Sequence, residues 1–377
     1  MGLAEREKSG QTINPSRRWA LLRAAWRVAD PETPVAKCHR VRRGPLVELR
    51  AAEGGAWAEG VVTCGSVWTC AVCAGRRAAL RYQLVREGIS RWTARIGIGA
   101  VYKEAGHEDF RFHTQDCGGY RQGASYLLET RTVRHGLGDS LAELAGAMRA
   151  ARNWFKGHRR YKEAREIAGA VGTIRSEELT YGWNGWHPHE HELWFCEREL
   201  AGGTRGLLEW ELAELWQEAC VRHGLPEPTV QHGYSLQPQE AENAAYVAKW
   251  GLPEEIALSV AKVGREGGRS PWELLEAAGK GDQEAGRLWR EYAAAQKGAR
   301  QLHWSRGLKK LLGLEDWKPP AVESATVYVL EAAEWRALCR ARETYLEELF
   351  QAIPAGREAI WRVVQRALER GQAGDSS

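Results

Sequence analysis

No stretch of this 377-residue sequence is apolar for long enough to cross a bilayer, and no basic-then-apolar leader opens it. A membrane-spanning helix is thereby excluded, and a cytoplasmic protein with no membrane partner is expected. The eight cysteines are too unevenly placed for a secreted disulfide framework. Methionine (2) and phenylalanine (5) are scarce, whereas tryptophan reaches 18; stacking on nucleic-acid bases is one use for indoles. Net charge is nearly absent, at 53 basic against 49 acidic residues, so the chain as a whole is no polycation. The excess sits at one end. Residues 1–50 hold eleven Lys/Arg and five Asp/Glu, a basic arm that suits a polyanionic partner or serves as a solubilising tail.

What is present in concentrated form is the run Gly185-Trp186-His187-Pro188-His189-Glu190-His191. Side chains alternate faces along a strand, so three histidines at spacing two all point one way. A helix would spread them over roughly 200°. Neutral imidazole is a common ligand for divalent metals; the plain alternative is a histidine-rich surface strand. Upstream, residues 171–183 end at Asn184-Gly185, the dipeptide favoured in a two-residue type I′ hairpin turn. With those two as the turn, Glu178 falls opposite His191, Thr180 opposite His189 and Gly182 opposite His187, provided no bulge intervenes. A carboxylate then joins the histidines on one face, while Glu177 points to the other. Two histidines and a carboxylate suit Mg²⁺, Mn²⁺ or a similar ion with open positions.

Earlier in the chain, Cys70 and Cys73 form a C-x2-C turn. With Cys38 and Cys64 they complete four thiolates, the set for a closed tetrahedral structural Zn²⁺ site. His39 is an alternative to Cys38. A redox pair is the competing reading, but no thioredoxin-like βαβ pattern surrounds it. Leu46–Leu49 and Val61-Val62 read as short strands in this module. Arg76, Arg77, Arg81 and Arg86 follow on a helix, either as phosphate contacts or as a solvated basic face.

Tyr126 to Val133 reads as a strand. Ser140-x-x-Glu143 is a capping box opening a helix with apolar positions 141, 144, 145, 148, 151 and 155. Thr204 to Val221 is a second amphipathic helix, and Val230 to Leu236 a further strand. This alternation suggests an antiparallel sheet with helices packed on it. Residues 240–250 form a helix ended by Gly251 and Pro253, and Glu242, Tyr246 and Lys249 share one of its faces. Tyr246 is there either an ordinary rim residue or a nucleophile toward a metal-polarised phosphate. Beyond Pro320 come one strand, Thr326 to Leu330, and two helices.

Five blocks occur in order: C-G-S-V-W-T-C-A-V-C, T-V-R-H-x4-S-L-A-E-L, T-Y-G-W-N-G-W-H-P-H-E-H, Y-V-A-K-W and Q-L-H-W-S-R-G-L-K. Across residues 38–312 the chain thereby resembles the replication initiator (Rep) proteins of rolling-circle plasmids, members of the HUH endonuclease superfamily. The resemblance implies metal ligands at His189, His191 and Glu178, with His187 as a further candidate. It implies that Tyr246 is the nicking tyrosine, that Glu242 is the base activating water at termination, and that Lys249 lies near the scissile phosphate. One position departs: the middle residue of the H-x-H pair is normally hydrophobic and here is Glu190, with Glu192 in place of a usual aliphatic. The back of that strand is then expected to be unusually polar for a helix-covered face.

The resulting expectation is an α+β fold: an antiparallel sheet of about five strands with packed helices, a small N-terminal zinc-binding module and a helical C-terminal region. Its parts are a basic arm (1–35), a four-cysteine zinc module with basic helix (36–93), an endonuclease domain (120–312) and a mainly helical end (313–377). The expected activity is metal-dependent nicking of one origin strand through a 5′-phosphotyrosine, followed by strand transfer and termination. Mn²⁺ or Mg²⁺ and a structural Zn²⁺ are the expected cofactors, with Arg76, Arg77 and Arg81 toward DNA. Single-stranded or hairpin DNA and the host helicase and polymerase are the expected partners, and a homodimer is allowed. The alternatives are an HUH transposase, or a zinc-dependent DNA-binding regulator with an inert histidine site.

Overall fold

The computed structural model describes residues 15–52, 55–96, 102–103, 120–239, 268–319, 321, 323–340 and 344–374. Along them run α1 (Pro15–Val28), α2 (Pro34–Lys37), β1 (Val47–Ala52), β2 (Gly55–Glu59), α3 (Ala71–Ile96), β3 (Tyr102–Lys103), β4 (Tyr120–Thr132), α4 (Leu141–Gly157), α5 (Arg159–Ile167), β5 (Ala170–Gly182) and β6 (Gly185–Leu200). Then follow α6 (Gly202–Arg222), α7 (Val230–Gly233), β7 (Tyr234–Gln239), α8 (Pro271–Gly279), α9 (Gln283–Ala295), β8 (Leu302–Trp304), α10 (Leu308–Leu311), β9 (Ala325–Leu330), α11 (Ala332–Leu338), α12 (Tyr345–Ala352) and α13 (Arg357–Gly374). The architecture is α+β with two antiparallel sheets. Among the described residues no helix is long and apolar enough to cross a membrane.

The larger sheet is organised on the β5–β6 hairpin, in the order β3-β4-β6-β5-β8, with β7 also paired to β4. The hairpin turn differs from the expected type I′ form. Gly182 pairs with Gly185, so Trp183 and Asn184 are the central residues, and Gly185 takes a left-handed φ of 84°. This matches a type I turn closed by a glycine bulge. A side chain at Gly185 would also put a Cβ 2.8 Å from the Gly136 carbonyl oxygen. The register therefore moves by two: Glu178 faces His189, Thr180 faces His187 and Ser176 faces His191. A shift of two preserves the faces of the strand. The carboxylate and the histidines stay together although each expected pair is replaced.

The opposite face of this sheet is covered by α4, α5 and α6. Leu144, Met148, Ala151 and Phe155 of α4 and Leu208, Leu212, Leu215, Trp216 and Ala219 of α6 are buried, as their helical spacing requires. Ser140 is the N-cap of α4, but its side chain makes no capping hydrogen bond. The Leu141 amide instead donates to Glu291 Oε1 of α9 at 3.0 Å, so a distant carboxylate serves where the capping box was expected. The strand expected at Val230 begins at Tyr234, because Val230–Gly233 coils into a short helix. On the histidine-bearing face, among the described residues, α3 covers one end. Val85, Ile89 and Trp92 pack with Ile174, Leu193 and Phe195, and leave the histidines outside that cluster.

The smaller sheet, β2-β1-β9, joins residues 47–59 to 325–330. The second strand of this module is Gly55–Glu59; Val61 contributes only an isolated bridge to Arg42. Residues 15–28, expected within a basic arm, are a packed helix. Trp19 stacks on Phe350 at 4.1 Å, and Arg23 Nε donates to Glu347 Oε1 at 2.6 Å. The Trp335 indole donates to the His39 carbonyl at 3.1 Å. Residues 19–29 and 335–367 thus contribute to one core. Tryptophan abundance has a structural use here: Trp92, Trp186, Trp194, Trp216, Trp289 and Trp335 are among the largest fully buried side chains. Each indole covers about 150–250 Å² of apolar surface.

The polar residues on the covered face are resolved as an ion network. Arg131, fully buried on β4, lies 2.7 Å from Glu129, 3.1 Å from Glu190 and 2.8 Å from Glu192. Arg152 of α4 and Arg175 of β5 reach Glu190 and Glu177, and Lys156 reaches Glu192. Cations and carboxylates match in number, which meets the requirement that buried charges be paired. Burial alone would raise the Glu190 carboxyl, but Arg131, Arg152 and Arg175 outweigh it and hold it below its ordinary value. Burial pushes Glu129 up, with Arg131 opposing. Glu190 and Glu192 are therefore compatible with a helix-covered strand because α4, β4 and β5 supply their counter-charges.

Candidate metal centres

Strand alternation sends His187, His189 and His191 to one face of the sheet, with Glu178 beside them on β5. His189 Nε2 lies 2.8 Å from Glu178 Oε2, and His191 Nε2 lies 3.9 Å from the same oxygen. One donor atom from each of Glu178, His189 and His191 falls within 4.8 Å of the others. Adjacent ligands of an octahedral ion with bonds of about 2.1 Å are about 3.0 Å apart, so this donor set fits a small divalent cation. Thr130 Oγ1, on β4, is 3.0 Å from His191 Nδ1. That bond orients the ring and leaves Nε2 toward Glu178, the role that partners of metal-binding histidines play. The group is partly sheltered: Glu178 is buried, while His189 and His191 are half-buried.

His187 stands outside this group. Its Nδ1 is 2.8 Å from His135 Nε2, and His135 Nδ1 is 2.8 Å from the Asn184 carbonyl oxygen. His135 donates through Nδ1 to that carbonyl, so its Nε2 accepts from His187 Nδ1–H. The remaining lone pair of His187 is on Nε2. Burial, with the neighbouring His189 and His135 rings, pushes His187 down to about 4.

The second group is Cys38, Cys64, Cys70 and Cys73. Cys38 Sγ is 3.6 Å from both Cys70 Sγ and Cys73 Sγ, and Cys64 Sγ is 3.9 Å from Cys73 Sγ. A Zn²⁺ with bonds of about 2.3 Å to four thiolates has tetrahedron edges of about 3.8 Å. All four cysteines are free thiols. Burial pushes Cys70 up, whereas hydrogen bonds from Cys38, Cys64 and Cys70 hold Cys73 down. Four sulfurs this close could hold one metal ion. His39 is buried at a left-handed φ of 56°, edge-on to Trp19, and is not one of the four.

Arg76 and Arg77 are exposed on α3. Arg81 is half-buried, and its Nη1 donates to Gln301 Oε1 at 2.9 Å. Tyr246, Glu242 and Lys249 lie outside the described residues, as do residues 1–14 of the expected arm. Sequence reasoning missed Thr130, His135 and the Arg131 network. His135 lies within the T-V-R-H block, and Thr130 two residues before that block begins. The network was signalled by charges at spacing two, Glu129/Arg131 opposite Glu190/Glu192.

Over 72% of its length, and 68% of the relative's, the chain is 28% identical to a protein named "Protein rep" from Streptomyces lividans. A shorter match, 29% identical over 39% of this chain, is to a "Neomycin resistance protein" from Streptomyces cyanogenus, of which it spans about a third. No known family profile matches the sequence, and no solved structure matches it.

Proposed function

We propose that this chain initiates plasmid replication by nicking one DNA strand at the origin, as an HUH endonuclease. The observation that carries the proposal is the convergence of Glu178, His189 and His191 on one face of an antiparallel sheet, in a chain similar over most of its length to a protein named rep. Glu178, His189 and His191 would hold a Mn²⁺ or Mg²⁺ ion, which would supply polarisation of the scissile phosphate. Thr130 fixes the His191 ring, and the His135–His187 pair walls the site on the turn side. The Tyr246 hydroxyl attacks the phosphorus in line, giving up its proton. A phosphotyrosine bond forms to the 5′ phosphate and the bond to the 3′ oxygen breaks, freeing a 3′ hydroxyl that primes synthesis. Lys249 lies near the phosphate, and Glu242 activates water when the cycle ends. Cys38, Cys64, Cys70 and Cys73 would hold a structural Zn²⁺, which would brace this module beside α3.

The test uses the full chain, Mn²⁺ and single-stranded oligonucleotides tiled across the DNA adjoining its own coding sequence. A covalent DNA–protein adduct is expected by mass spectrometry, absent in Tyr246→Phe and in His189→Ala. Undiminished cleavage by Tyr246→Phe, or DNA binding with no cleavage by the native chain, would overturn the proposal.

A further inference from the structure

The Gln301–Lys309 run has no part in the reaction above, yet its placement is specific. Leu302 on β8 pairs with Ser176, and Ser176 pairs with His191. Two strand spacings, about 10 Å, therefore separate this segment from the metal-binding group. After β8 the chain turns through Gly307, at a φ of 84°, into α10. Leu308 is buried there against β5, where a Cβ at Gly172 would come within 2.8 Å of it. This anchoring leaves Lys309 and Lys310 exposed, with Lys309 Nζ 5.4 Å from the centre of the Trp304 ring. Across from them, Arg81 ties α3 to Gln301, and Arg77 sits one helical turn earlier.

Beside β8 and α10 lies an open cavity of about 370 Å³, walled by Arg300, His303, Trp304, Lys309 and Lys310, with Glu315 its one carboxylate. Among the described residues, Arg77, Arg300, Arg306, Lys309 and Lys310 are exposed and form no ion pair. A run of exposed cations beside an aromatic ring, two strands away from the metal-binding group, is the chemistry that tracks a single strand. We infer that this groove carries the sugar–phosphate backbone of the single-stranded DNA flanking the nicked position, with Lys309 and Lys310 each meeting a phosphate. The inference rests on the nicking function proposed above.

The test is binding of a fluorescent oligothymidylate of about 20 nucleotides to the full chain across a salt series. Each phosphate contact to a single strand contributes about 0.7 to the slope of log affinity against log salt. Lys309→Ala/Lys310→Ala should therefore lower that slope by about 1.4 and weaken binding about 25-fold near 0.1 M salt, converging with the native chain near 1 M. Lys162→Ala, an exposed cation on α5 behind the sheet, should leave the slope unchanged. An unchanged slope in the double variant, an equal loss in Lys162→Ala, or no oligothymidylate binding by the native chain overturns the groove. The phosphotyrosine adduct is read separately, so failure of the nicking reaction and failure of the groove give different results.

Discussion

Replacing Arg131 by methionine isolates the chemistry that lets this sheet carry charge on its covered face. Without the guanidinium, Glu190 keeps Arg152 and Arg175, and Glu192 keeps Lys156. Glu129 keeps two neutral donors, the Trp194 indole at 2.9 Å and the Tyr161 hydroxyl at 3.4 Å, and the more distant charge of Lys156. Removing one partner of a buried pair costs about 3–5 kcal/mol. Glu129 has one escape, which is to take up a proton; moving a carboxyl from its ordinary range to pH 7 costs about 3.4 kcal/mol. The expected loss is therefore about 3–4 kcal/mol at pH 7, measured by urea denaturation with tryptophan fluorescence. Glu129→Gln added to Arg131→Met removes the stranded charge and should recover about 2 kcal/mol. A single-variant loss below about 1 kcal/mol, or a double variant no more stable than the single, would refute the reasoning.

Thr130→Val keeps the shape and strand preference but removes the oxygen bonded to His191; Mn²⁺ affinity by calorimetry should fall about 10- to 100-fold, and unchanged affinity would remove its orienting role. Cys70→Ser should lose one zinc by native mass spectrometry and unfold the β1–β2–β9 sheet at lower temperature; full zinc content would refute the tetrahedral assignment. Acid titration probes Glu190, whose carboxyl is held below its ordinary value of 4.5 in the folded protein. The folded state releases that proton more readily than the unfolded chain, so its stabilisation is complete above 4.5 and is lost as pH falls below it. Glu190→Gln should thus show a shallower loss of stability in that acid range, and parallel curves would exclude the effect.

Alternation and helical period were enough to place the main elements from residue order. The buried faces of α4 and α6 follow the spacing of their apolar residues, and the strand tail at 325–330 is visible as a β-branched run. Period 2 is also why Glu178 and the histidines share a face whichever of two even registers the hairpin adopts. The register itself was not legible, because Asn184-Gly185 serves a type I turn with a glycine bulge as well as the two-residue turn it usually marks. The four-cysteine grouping could be read from cysteine spacing alone, since a tetrahedral site needs few residues in a fixed local turn.

Tertiary structure decided what depends on contacts far apart in sequence. β1 pairs with β9 across more than 270 residues, so the N-terminal helix and the C-terminal helices share a core that no local pattern announces. The capping of α4 passed from Glu143 to Glu291, because a carboxylate on α9 reaches the first amide. Glu190 and Glu192, which look misplaced on a covered strand, are satisfied by Arg131, Arg152, Arg175 and Lys156 from other elements. The sequence by itself determined which residues face the same way. Which of them find a partner was left to the fold, because the free energy of a buried charge is set by what stands beside it in space.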